Sequence, residues 1–231
     1  MIDKLKLLSG EDIKIDGIAT FKQPKLRDIY NIGMDVYYTH MTYLIMSAEQ
    51  YLISTNKQEL IPHFKANNLT MFDIYEQNQQ EQYWFIQALS FFIEGEITYN
   101  KCFLINNDYP VDKNTYQGIL EIIGEISCFK VNSKDEVYSS DKARQIAEKI
   151  SQAKAKRNNT GNKEESLLDC IISSVAGRHP SLNLLNIWDL SAYQLYDQYQ
   201  RLFALDSFKI QAMNYAYYGG DFKASWSKPL N

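Results

Sequence analysis

Apolar residues along most of this chain recur at three- and four-residue steps, and its 231 residues hold only five prolines and ten glycines to interrupt them. That spacing gathers side chains on one face of an α-helix, whereas a strand would scatter them over both faces. Leu168, Ile171, Ile172, Val175 and Ala176 are the clearest case, ended by His179-Pro180. Tyr116, Ile119, Leu120 and Ile123 repeat it behind Asp112, in a helix predicted to run to about Ile126. Gln80 to Ile93 places Tyr83, Trp84, Gln87, Ala88, Phe91 and Phe92 near one face, a predicted core contact. Pro24 opens a helix bearing Leu26, Ile29 and Tyr30, with Gly33 as its stop; a longer helix is predicted from Met34 to Ile53, and Thr70 caps a short one through Tyr75. Near the C-terminus Asp189 or Ser191 caps a helix carrying Leu190, Tyr193, Tyr196, Tyr199, Leu202 and Phe203. A break is expected at Asp206-Ser207, and Phe208 to Tyr218 continues to Gly219-Gly220.

Strand patterns are few. Leu5 to Leu8 and Ile13 to Ile15 alternate about Ser9-Gly10-Glu11-Asp12 as a β-hairpin does, and Ile18 to Phe21 offers a third short strand. Ile97, Tyr99, Phe103 and Ile105 favour strands around Asn100-Lys101, with the N-terminal hairpin as the expected partner. The predicted fold class is mainly α, a helical domain with a small antiparallel sheet formed by an N-terminal hairpin. Asn158 to Lys163 has no apolar residue and serves as the linker between an N-terminal mixed region, 1–157, and a C-terminal helical region, 164–231. Val131 to Ser140 is polar and reads as loop.

Size and charge exclude classes without naming a function. A 26.9 kDa chain exposes ~39,000 Å² unfolded and ~10,800 Å² folded, enough burial for one sizeable core. The formal charge is −4, and 45% hydrophobic with 23% charged residues are values of a globular chain, not of a disordered one. Cys102, Cys128 and Cys170 are widely spaced and odd in number, which favours free thiols in a reducing compartment over disulfides. No signal-peptide core is read at the N-terminus, and no run reaches the ~20 apolar residues that cross a bilayer, so the cytoplasm is the expected location and no membrane partner is expected.

Catalytic patterns are missing from the sequence. It has no phosphate-binding loop, no dinucleotide fingerprint and no nucleophile elbow. His40, His63 and His179 lack a second ligand at metal-binding spacing and read as structural or surface histidines. Cys128 and Cys170 lie beside apolar helix residues and read as core cysteines. Glu94 with Glu96, and Asp108 with Asp112, could do acid–base work but have no basic partner and read as surface charge. No enzyme activity and no cofactor is expected. Asp141 to Arg157 carries six cationic against two anionic residues and could meet nucleic-acid phosphates, yet it lacks aromatics; a solvated helix is the preferred reading and nucleic acid the disfavoured partner.

Aromatic density makes the C-terminal segment the candidate partner surface. Trp188, Tyr193, Tyr196, Tyr215, Tyr218, Phe222 and Trp226 are the candidate residues, since Tyr and Trp supply large contact area with a polar tip. Tyr193, Tyr196 and Tyr199 fit a core-facing seam as well as a binding face, and Phe222 and Trp226 fit docking on their own domain as well as on a partner.

The stretch Pro180-Ser181-Leu182-Asn183-Leu184-Leu185-Asn186-Ile187-Trp188-Asp189-Leu190-Ser191-Ala192-Tyr193-Gln194-Leu195-Tyr196, continuing to Leu202, together with Trp226-Ser227-Lys228, resembles proteins encoded in the tail-gene clusters of tailed bacteriophages and prophages. The opening Leu5 to Ile13, then Gln23-Pro24-Lys25-Leu26-Arg27-Asp28-Ile29 and Gly33, resembles the same group. These stretches cover about a third of the chain; from about Gln50 to Gln152 only the general pattern is similar. The resemblance is to phage tail assembly chaperones, and it implies a non-enzymatic role: binding the long helical tape measure protein, keeping it soluble and recruiting tail tube subunits. It carries no specific site residue. A structural tail completion or connector protein of the virion is the alternative, and a nucleic-acid-binding regulator a further one. Oligomeric state is left open.

Overall fold

The computed structural model describes residues 2–128 and 167–220. Over these residues the chain is 66% helical. The described residues fall into two compact units: residues 2–128 with Trp188–Gln194, and residues 167–187 with 195–220.

In the first unit the chain opens with a helix, α1 (Lys4–Ser9), where the sequence suggested the first strand of a hairpin. Local capping decides the matter. Asp3 accepts a hydrogen bond from the Leu5 amide at 3.0 Å, and Gly10 ends the turn in the left-handed region at φ 71°. The hairpin lies one segment later, between β1 (Ile13–Ile15) and β2 (Ala19–Phe21), paired Ile13 to Phe21 and Ile15 to Ala19. Buried Gln23 ties this region to α1, its amide donating to Lys6 O at 2.8 Å and Glu11 O at 2.6 Å.

Helix α2 (Leu26–Ile32) stops at Gly33, whose φ of 87° suits glycine, and α3 (Met34–Ile45) follows at once. The single helix expected from Met34 to Ile53 is broken at Met46. There Ser47 Oγ accepts from the Gln50 amide at 3.2 Å while Gln50 Oε1 accepts from the Ser47 amide at 3.0 Å, and this reciprocal cap starts α4 (Ala48–Ser54). A 3-10 turn leads to α5 (Ile61–Ala66), a short helix that sequence periodicity did not reveal. Thr70 and Asp73 cap α6 (Met71–Gln77), and α7 (Gln79–Phe92) is the central element, packed against both α3 and α6.

The face that α7 buries is rotated from the predicted one. Phe85, Ala88, Leu89 and Phe92 are fully buried and Glu81 lies with them, whereas Tyr83 and Trp84 are exposed. Aromatic spacing alone misassigned the face, because α7 carries large rings around most of its circumference. Three strands follow, β3 (Ile97–Tyr99), β4 (Phe103–Ile105) and β5 (Tyr109–Val111), in antiparallel order β3-β4-β5. This is a second sheet and not an extension of the hairpin. What joins the hairpin to the end of α7 is a Phe21–Ile93 bridge, with Lys22 N donating to Phe92 O at 2.7 Å and Glu94 N to Thr20 O at 2.9 Å. Asp112 caps α8 (Lys113–Ser127), and its stripe Tyr116, Ile119, Leu120 and Ile123 is buried as predicted.

The core of this unit is aromatic. Phe85 stacks on Tyr75 at 4.4 Å and meets Phe103 edge-on at 4.7 Å; Phe72 and Tyr116 complete the cluster at 5.3 Å. The buried phenols are paired: Tyr116 Oη donates to Leu44 O at 2.9 Å and Tyr75 Oη donates to Tyr43 O. Burial raises both hydroxyls far above the ordinary tyrosine range, so they act as fixed donors.

In the second unit α9 (Leu167–Arg178) buries Leu168, Ile171, Ile172 and Val175 and ends ahead of His179-Pro180, as the stripe predicts. Helix α10 (Ala192–Tyr218) is continuous. The break expected at Asp206-Ser207 is absent, and Asp206 is held instead by an ion pair from Arg178 at 2.5 Å. Ser191 is the cap, its Oγ accepting from the Gln194 amide at 3.2 Å. The linker at 158–163, the polar stretch 131–140 and the basic stretch 141–157 lie outside the described residues.

Candidate partner-binding surface

The chain leading into α10 is anchored within the first unit. Leu26 N donates to Leu190 O at 2.9 Å, Lys25 bridges to Ser191, and Gln194 Nε2 donates to Leu8 O at 2.9 Å. Trp188 is half-buried, its ring 5.8 Å from that of Tyr30. Ahead of it, His179 Nδ1 accepts from the amides of Leu182 at 3.0 Å and Ser181 at 3.2 Å, so this histidine shapes a turn. Asn183 and Asn186 close the same turn, leaving Leu184 and Leu185 exposed.

Along α10 the candidate residues separate. Tyr193 and Tyr196 are half-buried near its start; Tyr215 and Tyr218 are exposed near its end. Phe222 and Trp226 lie outside the described residues. A second set of exposed apolar residues was not singled out from the sequence: Phe203 (71% exposed), Ile210 (59%), Met213 (58%) and Tyr217 (77%), with Tyr199 leading into them. Their numbers advance by alternating four- and three-residue steps once Asp206 is counted, the seven-residue repeat of a coiled-coil seam. The signal was present in the sequence, but the expected break at Asp206-Ser207 divided it. Tyr215 and Tyr218 turn away from this seam at the 100° per residue of an α-helix.

Other chemistry is spare. Glu94, Glu96, Asp108 and Asp112 are all exposed. His40 is buried against Phe91 at 6.1 Å, and burial lowers its pKa, which keeps the ring neutral. Cys128 and Cys170 are exposed, contrary to the core reading: Cys128 sits at φ 56° just past the buried stripe of α8, and Cys170 falls between the buried positions of α9. None of the three cysteines forms a disulfide. Among the described residues no group of three or more His, Cys, Asp or Glu is placed to hold a metal ion. No described helix is long and apolar enough to cross a membrane. An open cleft of about 540 Å³ runs between the hairpin and the β4–β5 turn, with Lys14, Thr20, Glu94, Asn106 and Asp108 on its walls.

No curated protein and no solved structure matches the chain. Residues 159–231, the part that contains α9 and α10, match the family model described as YomV second domain, a family of phage-derived, SPbeta prophage-type proteins; over this C-terminal third the chain is similar to a phage protein.

Proposed function

We propose that this chain is a non-enzymatic phage tail assembly chaperone, which binds the tape measure protein in the host bacterial cytoplasm and aids assembly of tail tube subunits around it. The observation that supports this reading is the exposed aromatic end of α10, Tyr215 and Tyr218, inside the segment that matches a phage-derived domain. A tape measure chain is long, helical and amphipathic before assembly, so its apolar stripe aggregates unless covered. Aromatic side chains on a preformed helix cover such a stripe by helix packing and need no cofactor.

Co-expression with the tape measure protein tests the proposal. Wild type keeps the tape measure protein soluble and co-purifies with it. A Tyr215→Ala, Tyr218→Ala double variant, and separately a Phe222→Ala, Trp226→Ala variant, lose co-purification while keeping the wild-type circular dichroism spectrum, because aromatic anchors dominate binding energy when they enter a desolvated pocket. Aggregation of the tape measure protein in the presence of wild type overturns the chaperone reading. Recovery of the chain from purified virions would move it to the alternative, a structural tail completion or connector protein.

A further inference from the structure

Trp188–Gln194 lies inside the segment that matches the phage-derived domain, yet it belongs to the first unit, while the described chain on either side of it belongs to the second. Every helix leaves amides unpaired at its start and carbonyls unpaired at its end. At two helix ends of the first unit this stretch supplies the partner. The Leu26 amide, at the start of α2, donates to Leu190 O at 2.9 Å beside the antiparallel Lys25–Ser191 bridge. At the end of α1, Lys6 O accepts from Gln23 Nε2 at 2.8 Å and Leu8 O accepts from Gln194 Nε2 at 2.9 Å.

We propose that Trp188–Gln194 is a docking strap, and that the face formed by Leu8–Gly10 and Lys25–Tyr30 is its receptor, which holds the strap by these pairings even when the chain ahead of it is cut. Gln194 is the clasp. Its Oε1 accepts from the Ser191 amide at 2.9 Å, completing with Ser191 Oγ the reciprocal cap that starts α10, while its Nε2 is committed to α1. One planar amide thus serves two helix ends, and turning it over would set donor against donor and acceptor against acceptor. Gly10 permits the approach, since a Cβ there would lie 2.8 Å from Gln194 Nε2 and 3.0 Å from its Cδ. Ser191 is buried at the centre of the strap, whereas the Arg27–Asp189 ion pair at 3.2 Å is exposed and contributes little. Because α10 begins on the docked residues, seating the strap and starting that helix are one event.

Cutting the full chain tests the strap. A site-specific protease sequence placed at Asn158 to Lys163 allows cleavage with both pieces kept in the same solution. The nicked protein sediments with the mass of the uncut chain through a dilution series. Gln194→Glu is the decisive variant: its carboxylate still accepts from the Ser191 amide, and an acid suits the first turn of α10, but it cannot donate to Leu8 O. It weakens association of the two pieces about 10-fold or more, with an unchanged circular dichroism spectrum before cutting. If Gln194 served only to cap α10, the same change would leave association unaltered or tighten it. Gly10→Ala weakens association from the receptor side, and in combination with Gln194→Glu it adds less than its own single effect, because both act on one contact. Arg27→Ala changes association less than about fivefold. Pieces that separate when wild type is cut, a Gln194→Glu protein that holds as tightly as wild type, strictly additive effects of the two variants, or a nicked species of twice the chain's mass, in which the strap lies on a second copy, each overturns the proposal. The tape measure experiment uses uncut protein and reads Tyr215 and Tyr218, so neither result decides the other.

Discussion

Gly95 shows how one residue position holds two elements of the fold together. Its φ is 109°, and a Cβ built there would lie 1.9 Å from Asn106 Oδ1, the atom that accepts a hydrogen bond from the Glu96 amide at 3.1 Å. Gly95→Ala therefore meets both backbone strain and a collision with a side chain that is fixed by its own hydrogen bond. The expected cost is about 2 kcal/mol or more, read as a lower urea midpoint, while Gly118→Ala, which meets open space in α8, costs nothing or stabilises slightly. A second residue-scale test concerns Glu81. It is buried, one carboxylate oxygen accepts from Tyr51 Oη at 2.9 Å, and the other has no hydrogen-bond partner among the described residues. Burial raises its pKa above the ordinary glutamate value. The folded chain then binds this proton more tightly than the unfolded chain, so the stability tied to it is complete at acid pH and is lost as pH rises through the folded pKa. Glu81→Gln keeps an acceptor for Tyr51 and removes the charge. Thermal melts of the two proteins should converge near pH 4 and separate toward pH 7, with the Gln variant the more stable; a wild type that is favoured at pH 7 would refute the assignment. Neither feature was readable beforehand, because φ at Gly95 and the desolvation of Glu81 depend on what the fold brings beside them.

At the scale of elements, the starts and stops of helices were legible where a cap supplies them and illegible where tertiary contacts override it. Asp112, Thr70, Gly33 and Gly219-Gly220 act where the sequence places them, and the stripes of α8 and α9 are buried. The misread elements share a cause. Six residues, Lys4 to Ser9, are too few to separate alternation from helical periodicity, so Asp3 and Gly10 decided the outcome. Asp206-Ser207 has the composition of a break, but helix formers on both sides carry α10 through it, and Asp206 there accepts an ion pair from Arg178. Ser47-Ala48 looked continuous with α3, but the reciprocal cap of Ser47 and Gln50 starts a new helix there. Ser47→Ala removes that side-chain acceptor and is expected to cost about 1 kcal/mol, measured as a shift in the denaturation midpoint. Arg178→Ala should cost less than about 1 kcal/mol, since its guanidinium is largely exposed, and α10 should remain continuous by its helical signal. A larger loss, with falling helix content, would mean that the ion pair and not local helix propensity keeps α10 whole.

On the scale of the whole molecule, helix dominance and a small sheet were legible from periodicity and the shortage of breakers, whereas the candidate surface was legible only in part. Aromatic density directed attention to the C-terminal segment, and Tyr215 and Tyr218 are exposed there, yet Trp188 packs on Tyr30 and the seam of Phe203, Ile210, Met213 and Tyr217 emerges only once α10 is known to be unbroken. Density counts rings; exposure depends on which way each ring turns. The same argument, run in reverse, gives the most severe stability test. Phe85 is fully buried and touches three other rings, Tyr75, Phe103 and Tyr116, within 5.4 Å, so it joins α6, α7, α8 and the three-stranded sheet at one point. Phe85→Ala removes that junction, leaving a cavity among stiff rings that relax poorly, and is expected to cost about 3–5 kcal/mol. Against a typical total of about 5–15 kcal/mol, that loss brings the first unit close to unfolding. Phe85→Leu keeps most of the volume and should cost clearly less. Urea denaturation followed by near-ultraviolet circular dichroism separates the cases, because Tyr75, stacked on Phe85, and Tyr116, edge-on to it, report on the cluster itself. If the alanine variant denatures within about 1 kcal/mol of wild type, the aromatic cluster is not what holds α7 to the sheet, and the packing of α3 on α7 must carry the unit instead.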